Sequence, residues 1–250
     1  MNFVFEKTAI LHSEILPALG MRDLTATDVL NLQAGLMGTW PFSTHLGMFA
    51  VQLDALGTKA QADYWVPKAK SFEVIGCYAQ TELGHGSDVQ NLETTATYDL
   101  ATGEFVIHTP TLSAAKFWPG DLGKLANHAV VLARLVVKGK SYGMQTFVVR
   151  IREAGSHVPL KGVELGDIGP KHGYQNKENG YAIFTHFRVP GSALLARYIS
   201  VSKEGTVTTQ GDPKIAYFTM MFNRIYIIQE CHAYLGKSLA IALRYSAYRR

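Results

Sequence analysis

The residues of this chain that could do chemistry gather in two short segments. Gly76-Cys-Tyr-Ala-Gln-Thr-Glu-Leu-Gly-His-Gly-Ser-Asp88 begins as a strand and ends in a run that offers hydroxyls, small residues and close backbone approach. That combination suits a ligand cradle. Further along, Lys116-Phe-Trp-Pro-Gly-Asp-Leu-Gly123 sets an indole beside a rigid Pro-Gly turn, an arrangement that can cover one face of a flat ring. Taken singly, each segment also has a plain explanation, a core tryptophan or an ordinary turn.

Several other chemistries fail on spacing. Gly139-Lys-Ser141 and Gly236-Lys-Ser238 resemble the end of a phosphate loop, but the upstream glycine it requires is Arg134 in one case and Cys231 in the other. Gly84-His-Gly86 starts a dinucleotide fingerprint whose third glycine is replaced by Val89. Gly139-Lys-Ser141-Tyr-Gly143 has the spacing of a nucleophile elbow, which needs a helix after the serine, whereas Gln145–Ile151 reads as a strand. The nine histidines include no HxxxH or HExxH pair, and Cys77 and Cys231 stand apart without metal-ligand or disulfide spacing. No metal is expected, and the two isolated cysteines suit a reducing compartment.

Composition narrows the class further. With 47% hydrophobic and 18% charged residues the chain has ample apolar surface for a globular core. Its 24 Lys and Arg against 20 Asp and Glu give a net charge of +4, interspersed along the chain and too small for a nucleic-acid stripe. Glu6, Lys7 and Glu14 interrupt any secretory apolar region, and Gln229, Glu230, His232 and Lys237 interrupt the late apolar stretch 225–243. Neither nucleic-acid binding nor membrane insertion is expected.

The elements that must position the two segments follow from periodicity. Thr25–Met37 carries Val29, Leu30, Leu32 and Leu36 at largely helical spacing, and Thr58-Lys-Ala-Gln61 has capping-box spacing for a second helix that Pro67 should end. From about Ile75 the pattern changes to strands over 93–98, 104–108, 128–137, 145–151 and 180–189. Asp99-Leu-Ala-Thr-Gly103 and Lys138-Gly-Lys140 read as hairpin loops, so an antiparallel sandwich or barrel is expected. Asp212 as N-cap and Pro213 at the first helical position open a final helix through Arg250, which ends without a C-cap signal and suggests a polypeptide that continues. The expected fold is α+β, with helices before and after the β region.

These residues resemble the acyl-CoA oxidases, flavoproteins of the acyl-CoA dehydrogenase superfamily. The resemblance is carried by His45-Leu-Gly-Met-Phe49, Tyr78-Ala-Gln-Thr-Glu-Leu-Gly-His-Gly86, Leu92-Glu-Thr-Thr-Ala-Thr-Tyr98, His108-Thr-Pro110, Gly166-Asp-Ile-Gly-Pro-Lys171 and Arg244-Tyr-Ser-Ala-Tyr-Arg-Arg250. It implies an amino-terminal fragment with a helical domain over 1–74, an antiparallel β-barrel flavin-binding middle domain over 75–211 and the start of a C-terminal helical domain over 212–250. It further implies FAD, with Gln80 and Thr81 facing the isoalloxazine, Gly120 and Trp118 as the second contact, Ser87 meeting the acyl-CoA, and Arg249 reaching an FAD phosphate across a homodimer interface. The implied reaction converts a fatty acyl-CoA to the trans-2-enoyl-CoA while dioxygen becomes hydrogen peroxide, in the peroxisome. The family's catalytic glutamate would fall beyond Arg250, so no catalytic residue is assigned, and Glu82 and Glu93 read as structural or solvated. The alternatives are a dehydrogenase serving a flavoprotein acceptor and a non-catalytic FAD-binding chain. One departure stands out: where the family usually has Trp-Trp-Pro-Gly-Gly, this chain has Phe117-Trp-Pro-Gly-Asp121. Unless Asp121 points to solvent, its charge should oppose flavin reduction.

Overall fold

The computed structural model describes residues 42–175, 177–211 and 215–249. The expected helix over 25–37 and the cap at Asp212 and Pro213 lie outside them, as does Arg250. Contacts group residues 41–212 into one compact unit and the segment from 213 onward into another, and each is described by itself.

A π-helical turn, His45–Phe49, runs directly into α1 (Ala50–Leu56), which ends as Gly57 swings to an extended conformation. Thr58 then starts α2 (Lys59–Lys70) with the expected reciprocal box: its hydroxyl accepts from Gln61 N at 3.2 Å and its own N–H donates to Gln61 Oε1 at 2.9 Å. The same glutamine amide donates to the Ser192 and Leu194 carbonyls, so one side chain both caps the helix and docks it on a distant segment. Pro67 does not stop α2, which continues to Lys70. Proline deprives the carbonyl of Asp63 of its helical donor; Asp63 and Pro67 are both exposed, where water replaces that bond.

The β region has two sheets. β1 (Gly76–Ala79), β2 (Thr95–Asp99), β3 (Glu104–His108), β5 (His128–Val137), β6 (Lys140–Arg150) and β9 (Phe187–Pro190) form the larger one, and β4 (Lys116–Gly120), β8 (Asn179–Phe184) and β7 (Val163–Asp167) the smaller. A two-stranded ribbon, β10 (Ile199–Val201) with β11 (Val207–Thr209), follows. Both expected hairpins are present. Lys138 and Gly139, with φ of 51° and 75°, make a two-residue turn whose left-handed pair matches the twist of β5 and β6.

The large sheet is mixed and open, which corrects the expectation of an antiparallel barrel. β6 pairs along one edge of β5; on the other, β1 lies beside its first half and β2 beside its second, both parallel to it. Short hairpin links force antiparallel neighbours, but the long path from β1 to β5 leaves room for a parallel return. The strand expected over 180–189 is also two strands in different sheets, divided at His186, whose φ of 47° turns the chain. β5 and β6 alternate between two cores: Val131, Leu135, Phe147 and Val149 face one, Val130, Leu132 and Val148 the other, against Phe49, Leu53 and Leu56 of the helices. Burial on both faces is why β5 reads as an unbroken apolar run.

The segment after 213 is one long helix, α3 (Ile215–Tyr248). Among the described residues no helix is long and apolar enough to cross a membrane.

Candidate functional site

β1 delivers the chain to Gln80 and Thr81 over a buried ionic clamp. Lys116, with no exposed surface, donates from Nζ to Gln80 O at 3.1 Å, Glu82 Oε1 at 2.9 Å and Leu132 O at 2.7 Å. Glu82 in turn accepts from Glu93 N at 2.7 Å, Thr94 N at 3.0 Å and Thr94 Oγ1 at 2.5 Å. Burial works against the Glu82 charge, but Lys116 and these donors outweigh it and hold its pKa below the usual value. Burial likewise pulls Lys116 down, to about 8, against the opposing pull of Glu82, its partner at 2.9 Å. Glu82 is therefore structural. Lys116 opens the Trp-Pro-Gly segment, and the signal in the sequence is its charge, opposite to that of Glu82 in the cradle.

Between the clamped neighbours, Thr81 is partly exposed, and its hydroxyl makes no hydrogen bond to the described residues. Its carbonyl accepts from Phe117 N at 2.9 Å, which stitches the cradle to β4 and brings Thr81 beside the Trp-Pro-Gly turn. Gln80 is buried, its Oε1 taken by the Tyr78 hydroxyl at 2.6 Å. Its side chain thus braces the strand end.

The turn itself is held in an unusual conformation. Trp118 has φ of 81° and is half exposed, while Asp121 has φ of 70° and is fully buried. Left-handed backbone at non-glycine residues is costly and persists only where surroundings enforce it. Asn179 Nδ2 donates to Trp118 O at 2.5 Å. The Glu178 carboxylate collects the N–H groups of Gly123, Lys124 and Leu125 at 2.9–3.0 Å, and Arg152 donates to the carbonyls of Leu122, Gly123 and Ala126. A β-carbon on Gly120 would lie 2.6 Å from Lys177 Cε and 2.9 Å from Thr44 Oγ1, so any other residue would have to push those side chains aside.

Asp121 does not point to solvent. Its Oδ2 pairs with Lys177 Nζ, and its Oδ1 has no partner among the described residues. Burial raises its pKa to about 6 although Lys177 opposes the rise.

Beyond Thr81 the backbone folds tightly, Glu82 and His85 exchanging main-chain hydrogen bonds at 3.1–3.2 Å. His85 Nε2 meets Glu93 Oε1 at 2.9 Å, and Glu93 also accepts from Thr111 Oγ1 at 2.5 Å. Ser87 lies past this turn, exposed, with its hydroxyl unbonded to the described residues. Arg249 follows the end of α3, its guanidinium over the Tyr245 ring, 5.7 Å from the centroid. The structure thus joins Thr81, Gln80, Gly120 and Trp118 in one place, with Ser87 on the adjoining loop. No group of three or more His, Cys, Asp or Glu among the described residues could hold a metal.

Residues 6–75 match the family model described as acyl-coenzyme A oxidase N-terminal, and residues 77–187 that of the acyl-CoA dehydrogenase middle domain. The chain belongs to the acyl-CoA oxidase family. It is 46% identical over 209 residues to peroxisomal acyl-coenzyme A oxidase 1 of Homo sapiens, which covers 84% of this chain and 32% of the relative. The plant relative of the same name from Arabidopsis thaliana is 47% identical over 210 residues, 82% of this chain and 32% of its own. Among solved structures, acyl-CoA oxidase-2 of Caenorhabditis elegans, bound with FAD, ascaroside-CoA and ATP, superposes with a TM-score of 0.90 at 42% identity, over 98% of this chain and 37% of that one. Acyl-CoA oxidase 1 of Arabidopsis thaliana does so with a TM-score of 0.85 at 39% identity, over 99% and 38%. The chain therefore spans about a third of the length of its acyl-CoA oxidase relatives. The cradle and the Trp-Pro-Gly turn both fall in the matched middle domain.

Proposed function

We propose that this chain forms the flavin-binding part of an acyl-CoA oxidase, which converts a fatty acyl-CoA to the trans-2-enoyl-CoA and passes the two electrons to dioxygen, giving hydrogen peroxide. The observation that carries the reading is the Phe117–Thr81 backbone hydrogen bond, which aligns the strand end bearing Thr81, whose hydroxyl bonds none of the described residues, with the segment that carries the half-exposed Trp118. A donor next to a flat apolar face fits a heterocycle with acceptor atoms along its edge, as the isoalloxazine has.

When bound, FAD supplies the acceptor for the hydride from the β-carbon and the centre that dioxygen reoxidises. The Thr81 hydroxyl donates to the ring edge, where negative charge grows on reduction. Gln80 fixes the strand end that presents Thr81, Trp118 shields one face from water, and Gly120 offers bare backbone. Ser87 hydrogen-bonds the acyl-CoA from the adjoining loop. The base that removes the α-proton is not Glu82, which Lys116 holds in the interior; it belongs to the two-thirds of the relatives' length outside this chain. The same reading includes domains over 1–74, 75–211 and 212–250, a homodimer in which Arg249 reaches an FAD phosphate, and the peroxisome, supported by the names of relatives 45–47% identical.

The test is the visible spectrum of the purified chain after incubation with FAD and gel filtration, before and after adding a fatty acyl-CoA, together with oxygen consumption by the longer protein. Retained flavin that stays oxidised fits a site whose base lies elsewhere, and bleaching would put a base within these residues. Peroxide in step with enoyl-CoA, without another acceptor, marks an oxidase; reduction that needs a flavoprotein acceptor marks a dehydrogenase. No retained flavin would refute the site in this chain.

A further inference from the structure

The Trp118–Asp121 turn carries a charged pair that the site as described does not use. Asp121 takes a glycine-like φ of 70° and is wholly buried. A lone carboxylate there would face a large desolvation cost. Lys177, distant by 56 residues, reaches it from the segment before β8 and is nearly as buried. Its side chain crosses Gly120, with Nζ 3.5 Å from where a β-carbon would stand. Glu178 also bears on Asp121 electrostatically, Cys77 feels both members of the pair, and His45 feels the Lys177 charge.

We propose that Asp121 and Lys177 act as a mutually cancelling ion pair that sets the charge beside the flavin turn, Lys177 neutralising the acid and thereby keeping reduction of the flavin favourable. The proposal rests on the reading of this turn as a flavin contact. It reverses the sequence expectation: an acid beside the ring should lower the flavin's tendency to accept electrons, but the pair presents almost no net charge. Asp121 and Lys177 are positioning residues, acting through the field at the turn.

The consequence has a sign that a purely structural role does not produce. Asp121→Asn and Asp121→Gly each remove one negative charge from the turn, and a less negative turn favours the anionic reduced ring. Adding Lys177→Met to Asp121→Asn removes both charges. The FAD-loaded protein is equilibrated at pH 7 against a reference dye, and the ratio of reduced to oxidised flavin is read from the visible spectrum. Both single variants should raise that ratio at least fivefold, and the double variant should return it to within twofold of the unsubstituted protein. Asp121→Gly is unstrained at this φ, which secures the test if Asp121→Asn folds poorly. A fallen or unchanged ratio with FAD still bound, or a double variant that does not revert, overturns the proposal and leaves the flavin reading standing. An unsubstituted protein that retains no FAD overturns both.

Discussion

Lys116→Met tests whether the cradle depends on its buried ion pair. The ammonium has three acceptors, one of them Glu82, and neither side chain of the pair reaches solvent. Deleting one member of a buried pair leaves an uncompensated charge and costs about 3–5 kcal/mol, whereas replacing both can be close to neutral. Glu82 also accepts three donors from Glu93 and Thr94. A glutamine there would oppose its amide to one of these, at about 1–3 kcal/mol. Lys116→Met should therefore lose about 3–5 kcal/mol, Glu82→Gln a similar amount, and the double variant well under their sum. Against a total of about 5–15 kcal/mol, the single change removes a large share of stability, and at about 2–4 °C per kcal/mol lowers the melting temperature by about 6–20 °C. Urea unfolding followed by tryptophan fluorescence gives all four corners of the cycle. A loss below about 1 kcal/mol for Lys116→Met, or additive single variants, would refute the clamp. The pH dependence has a defined sign as well. The folded-state pKa of Glu82 lies below its ordinary 4.5, so its contribution is in place above that value and disappears as pH falls through the lower one.

His45 is buried, accepts from Gly76 N at Nδ1 and meets Ala69 O with Nε2; burial lowers its pKa from 6.5 to about 4. The unfolded chain thus binds the extra proton first, and stability should fall by about 3 kcal/mol between pH 6.5 and 4, a slope that His45→Gln flattens in urea titrations at stepped pH. Gly120→Ala places a methyl 2.6 Å from Lys177 Cε and should cost about 1–3 kcal/mol while displacing Lys177 from Asp121, measured by thermal unfolding and by loss of FAD on gel filtration. Thr81→Val removes a hydroxyl that bonds none of the described residues, so the melting temperature should hold, whereas FAD should bind about 2- to 10-fold more weakly in a fluorescence titration. A variant that melts early instead would make Thr81 a structural residue.

What the sequence disclosed and what it hid divide along the range of the interaction. Asp99–Gly103 and Lys138-Gly139 were legible because a hairpin is set by turn residues and the strands beside them, and the box at Thr58 and Gln61 because it closes within one helical turn. The parallel pairing of β1 and β2 with β5 was not, since alternation gives the faces of a strand and not its neighbour's direction. The single apolar pattern over 180–189 likewise serves two sheets equally well, and only the turn at His186 divides it. The site shows the same division. Thr81 and Trp118 announce themselves by residue type, but the alignment of their segments is made by a hydrogen bond from Phe117, and the charges that hold each segment, Lys116 for the cradle and Lys177 and Glu178 for the turn, come from elsewhere in the chain. Asp121 makes the point most sharply. Read locally, an acid in place of glycine is a threat to a flavin site, and its buried, left-handed position would compound the cost. A lysine that the fold brings from 56 residues away removes the charge problem, so the substitution at 121 is intelligible only together with position 177. A homologue with glycine at 121 has no acid to cancel, and a lysine at its equivalent of 177 would then carry the full desolvation cost alone.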